Sequence, residues 1–114
     1  MKIFDSKKFL EKGGWFIGNF EPSVIKTDLF EISYKTHNKD EFWPKHHHKK
    51  SDEINYLIRG KMKINNVIIE EGKIFVIEKN ESIKPIFLEN CEMIVIKIPS
   101  TINDKHIDDE IDTA

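Results

Sequence analysis

An all-β sandwich or barrel, led by one short helix, is the fold class this sequence predicts. Three observations carry the prediction. Helical periodicity is confined to the opening residues, a series of short alternating or apolar runs follows it, and each run is closed by residues that favour turns.

The elements follow in order. Ser6 is placed to cap a helix over 6–12, and Gly13-Gly14 supply its stop. Strand-like runs then cover 15–20, 24–34, 53–64, 67–69, 73–77, 83–88 and 93–98. Between them lie polar separators such as Glu21-Pro22-Ser23, His37-Asn38-Lys39-Asp40 and Glu70-Glu71-Gly72. Asn65-Asn66 suits a tight hairpin, because Asn tolerates the left-handed backbone that such turns demand. The acidic segment 103–114 reads as a frayed tail or a short surface helix, and 1–14 as an N-terminal segment of one domain spanning 1–114.

Composition narrows the function classes. A chain of 114 residues can bury a core without a disulfide or metal staple. A net charge of -2 supplies no basic field for nonspecific nucleic-acid binding. The lone Cys91 allows no internal disulfide and excludes a cysteine-based zinc ribbon. Apolar runs such as Ile74-Phe75-Val76-Ile77 are too short to cross a bilayer, and lysines interrupt the N-terminal region where a secretion signal would lie. The expectation is a cytoplasmic, reduced protein with neither nucleic-acid nor membrane partners. Lysine is used almost to the exclusion of arginine, so lysine-rich stretches such as Lys49-Lys50 read as solvated loop residues.

The chemically loaded stretch is His46-His47-His48, followed by Glu53. Side chains alternate along an extended strand, so His46 and His48 share one face and His47 points the other way. A turn through the polar residues between would bring the next strand alongside, antiparallel, with the Glu53 carboxylate beside the two imidazoles. Two neutral imidazoles and a carboxylate suit a divalent first-row metal and leave positions open for a substrate. The bland reading is an exposed loop cluster, as adjacent histidines on a polar segment often are. If Glu53 faces inward, Asn55 and Leu57 follow it, while Ile54, Tyr56 and Ile58 face out.

Here the chain resembles the cupin superfamily. The first cupin motif runs Gly-x5-His-x-His-x3-4-Glu-x6-Gly, and His46, His48, Glu53 and Gly60 match it, with Asp40 in place of the first glycine. The second, Gly-x5-Pro-x-Gly-x2-His-x3-Asn, keeps only Gly72: Glu78, Asn80, Ile83 and Phe87 replace the later residues. The resemblance implies a small double-stranded β-helix, or jelly roll, with His46, His48 and Glu53 at its mouth as metal ligands. Iron, manganese, nickel and zinc all accept such donors. Because Ile83 stands where the fourth ligand belongs, weak or substoichiometric metal is expected.

Asn55, Tyr34 and Trp43 are the candidate ligand-binding residues. Asn55 can orient a ligand or simply satisfy a neighbouring backbone group, and Trp43 can pack the rim or offer a stacking platform. His37 reads as a surface turn, with a substitute metal ligand as the alternative; Trp15 reads as core or dimer contact, and His106 as solvated. Cys91 has no nucleophile's setting. Three function classes follow: a metal-binding cupin acting on a small molecule, a metal-free module for a small polar ligand such as a carbohydrate or sugar nucleotide, and a structural barrel working through its dimer surface. A homodimer is expected, because the outward Ile54, Tyr56 and Ile58 invite cover.

Overall fold

The computed structural model describes residues 1–108. It opens with α1 (Lys7–Leu10), shorter than predicted. The Ser6 side chain makes no capping bond; instead the Lys7 backbone N–H donates to Asp5 Oδ1 at 3.0 Å. Gly14 ends the segment because nothing larger fits: a Cβ there would lie 1.9 Å from the Tyr34 carbonyl oxygen.

The strands are β1 (Trp15–Ile17), β2 (Glu31–His37), β3 (His46–His48), β4 (Asp52–Arg59), β5 (Lys61–Ile64), β6 (Val67–Glu70), β7 (Ile74–Ile77), β8 (Pro85–Phe87), β9 (Cys91–Ile98) and β10 (Lys105–Ile107). One sheet has the order β1-β2-β9-β4-β7, a second pairs β10 with β3, and a third runs β6-β5-β8. A bridge between His46 and Ile83 joins the two smaller groups, so together they form the wall opposite the larger sheet. This is the all-β, jelly-roll architecture expected from the sequence. Among the described residues, no helix is long and apolar enough to cross a membrane.

Several elements differ from expectation for identifiable reasons. The run 24–34 is strand only from Glu31, because 24–27 bonds back to the end of β1 through an isolated parallel bridge between Gly18 and Lys26: Val24 N–H donates to the Phe16 carbonyl and Thr27 N–H to that of Gly18. The strand then continues through His37, which pairs with Cys91, so His37 is no surface turn. The run 53–64 divides at Gly60, whose φ of 100° turns the chain from one sheet into the other. Asn65 and Asn66 take φ of 48° and 69° between β5 and β6, as a tight hairpin requires. Part of the supposed tail is ordered: β10 pairs antiparallel with β3, placing His106 opposite His47, with their rings stacked at 5.3 Å. The rest of that segment, 109–114, lies outside the described residues.

Leu57, Met62, Ile64, Ile77, Ile83, Phe87, Met93 and Val95 form the buried core. They come from both walls at the alternating positions of their strands, each contributing on the order of 1.5–3 kcal/mol when fully buried. All of these but Leu57 also line an open space between the two walls.

Candidate functional site

A cavity of about 350 Å³ lies between the walls, reached by side chains of both. Its polar cluster begins with β3, whose alternation buries His46 and His48 and leaves His47 half-buried on the other side. His46 Nδ1 donates to the Pro44 carbonyl at 3.0 Å, which leaves Nε2 as the nitrogen available to a ligand. Burial, reinforced by the charge of Lys105, holds His46 below the ordinary histidine value despite that bond, so it is neutral at pH 7.

His48 and Glu53 meet, but not by the predicted route. β4 does not pair with β3; it lies between β9 and β7 in the larger sheet. The chain crosses between walls at 49–51, where the Asp104 carboxylate accepts backbone N–H bonds from Lys49, Lys50 and Ser51 at 3.0 Å. His48 Nε2 then lies 3.1 Å from Glu53 Oε2 across the barrel. Burial works against the Glu53 charge, but the His48 hydrogen bond, together with the nearby Asn55 amide and His46, outweighs it and keeps the carboxyl below its usual range. Asn55 acts there without hydrogen-bond geometry. Its Nδ2 and His48 Nδ1 are both buried and, among the described residues, unpartnered.

The other predicted residues separate. Trp43 lines the cavity, as Asn55 does, and its Nε1 donates to Glu41 at 2.6 Å. Tyr34 does not join them: the alternation of β2 turns it outward, where its hydroxyl bonds Glu92. Ile83 does line the cavity, adjoining His46 through reciprocal backbone bonds of 2.9 Å. His37 is buried there, stacked 4.1 Å from Phe87 and tied by Nδ1 to Glu41 at 2.6 Å. Cys91 is buried, and burial pushes its thiol up, against nucleophilic use.

Sequence reasoning missed the charged side of the cavity, made by Glu31, Lys35, Lys97 and Lys105. Lys97 faces Glu31 on one neighbouring strand and Glu53 on the other, and its Nζ lies 3.4 Å from Glu31 Oε1. The alternation of β2 and β9 contained this signal, once the inward parity of either strand was known.

The donor types suit a divalent metal, and the 3.1 Å spacing of His48 and Glu53 suits adjacent ligands. The arrangement as a whole does not: among the described residues, no three His, Cys, Asp or Glu side chains are gathered as a metal-binding group. The facing atoms of His48 and Glu53 bond each other instead.

Comparison with known proteins gives likeness in structure only. No protein-family model matches the chain, and no curated protein is significantly similar in sequence. An RmlC-like cupin family protein of double-stranded β-helix fold from Methanocaldococcus jannaschii is 23% identical, with TM-score 0.58 over 67% of this chain and 75% of its own. A conserved double-stranded β-helix protein from Klebsiella pneumoniae is 13% identical, with TM-score 0.65 over 96% and 99%. A cupin-2 domain protein from Shewanella frigidimarina is 19% identical, with TM-score 0.57 over 84% and 94%. At these identities the likeness is one of fold.

Proposed function

We propose, from the cupin double-stranded β-helix that this chain has, that its barrel is a binding site for one small organic molecule. The observation that carries the reading is the cavity itself, whose lining residues His48 and Asn55 each hold a buried nitrogen, Nδ1 and Nδ2, that is unpartnered among the described residues. Buried polar groups are nearly always paired, so two unpaired groups, one on each wall of the cavity, leave hydrogen-bonding capacity for a ligand or a ligand-borne water, with Asn55 Nδ2 the donor. The aliphatic and aromatic remainder of the wall suits a ligand with an apolar body better than a carbohydrate, whose hydroxyls would each need a partner.

A neutral, hydrophobic fluorescent dye, N-phenyl-1-naphthylamine, tests this. Wild type should bind it with enhanced fluorescence, and Ile83→Trp, which fills the cavity, should weaken binding at least about tenfold. Equal binding by the two proteins would remove the cavity as the site.

A second reading is favoured by the donor set. His46, His48 and Glu53 would close on a weakly held divalent metal if it displaced the proton between His48 and Glu53. Reconstitution of untagged protein at neutral pH, followed by elemental analysis, should give substoichiometric metal that His48→Ala removes. Less than about a tenth of an equivalent overturns this reading. The proposal extends to a homodimer in a reducing, cytoplasmic setting, where the buried Cys91 stays a thiol.

A further inference from the structure

The lysines of the cavity form a second feature. Lys35 of β2 and Lys97 of β9 lie over the Trp15 ring, 4.9 and 5.8 Å from its centroid, and Lys105 of β10 lies 4.3 Å from that of Trp43. These three ammonium groups come from separate strands on both walls and converge on one space. They are close enough to repel: Lys105 and Lys97 both oppose the charging of Lys35, while Glu53, with the larger effect, and Glu31 favour it. The registered row Glu31–Lys97–Glu53 accounts for Lys97. Among the described residues, no carboxylate lies within ion-pair distance of Lys35 or Lys105.

We infer that the ligand is a small organic anion, with a carboxylate-class headgroup held by Lys35, Lys97 and Lys105 beside Trp15 and Trp43, and an apolar body against Ile83, Phe87, Met93 and Val95. This rests on the binding reading above and adds the ligand's charge. Three ammonium groups stand against two carboxylates in the lining, an excess of one positive charge in a mostly apolar space. Convergent like charges there are relieved by a counter-charge that arrives with the ligand. An inorganic anion would leave the apolar wall uncovered, and a neutral apolar molecule would leave the excess positive charge without a counter-charge, since Lys35 Nζ donates only to the neutral Gly13 carbonyl, at 2.8 Å.

Two dyes of one ring system separate the possibilities: 8-anilinonaphthalene-1-sulfonate, which is anionic, and N-phenyl-1-naphthylamine, which lacks the sulfonate. Wild type should bind the sulfonate at least about tenfold more tightly, with octanoate displacing it. Lys35→Met and Lys105→Met should each weaken the sulfonate about tenfold and leave the neutral dye within about twofold, which also certifies an intact cavity. Because Lys97→Met alone would strand Glu31, that position is tested as Glu31→Gln with Lys97→Met. Equal wild-type affinity for the two dyes, or equal weakening of both by the lysine variants, overturns the anion and leaves the cavity standing. Failure of both dyes to bind wild type, or sulfonate binding that Ile83→Trp does not touch, overturns the cavity reading and the anion together.

Discussion

Lys35 is held in the cavity at a cost to the fold. Burial is the main cause of its depressed pKa, about 8 against an ordinary 10.5; Lys105 and Lys97 add to the effect, while Glu53 and Glu31 oppose it. A lysine whose folded value lies below its unfolded one burdens the native state when charged. Stability is therefore highest above about 10.5 and falls as pH drops toward 8. Lys35→Met should raise stability at pH 7 by about 1–2 kcal/mol, after discounting for partial exposure, or roughly 4–8 °C in Tm. The gain should shrink toward pH 10.5, as thermal melts across that range would record. A gain that is absent at pH 7, or independent of pH, contradicts the account. The variant loses the Lys35 Nζ bond to the Gly13 carbonyl, but that oxygen keeps the Ser33 hydroxyl as a donor at 2.8 Å, so no acceptor is stranded.

The same scale shows what the sequence could reveal. His46, His48, Glu53 and Asn55 were legible because their placement needs only alternation over short stretches, and all four line the cavity. Tyr34 and His37 were not, because the parity of β2 is set by its register against β9, a partner far along the chain. The lysines were hidden twice over: by the same parity problem, and by a composition in which lysine is commonplace.

At the scale of elements, turns were read well and crossovers poorly. Gly60 and Asn65-Asn66 declare themselves through backbone demands that few other residues meet. Nothing local announces that 49–51 leaves one wall for the other, since the anchor is Asp104, more than fifty residues away. Burial opposes the charge of Asp104, but the N–H groups of Lys50, Lys49 and Ser51 outweigh it and hold the carboxyl low. The stability it contributes is therefore complete above the unfolded aspartate value and lost as pH falls through the folded one. Asp104→Ala should cost about 2–4 kcal/mol in urea unfolding at pH 7 and speed proteolysis near β10. A loss under about 0.5 kcal/mol would mean the crossover holds without its anchor.

At the scale of the whole molecule, the sheet face away from the cavity is apolar. Tyr56 is 44% exposed, Ile74 65% and Val76 56%, all on β4 and β7, and β7 is an edge strand. Such a face and edge invite a second copy of the chain. Light scattering at micromolar concentration should give twice the monomer mass, and Val76→Lys should shift it toward the monomer. A wild-type value near 13.5 kDa would reject the dimer.

The crossover at 49–51 gives the His48–Glu53 contact one further meaning. The two residues are neighbours in the chain yet belong to opposite walls, so their separation gauges the width of the barrel at its polar end. Any widening or narrowing between the sheets must change that hydrogen bond. The imidazole nitrogen resonances of His48 are thus a built-in strain gauge, readable by nuclear magnetic resonance without a label foreign to the protein, for how far the barrel breathes when a guest enters.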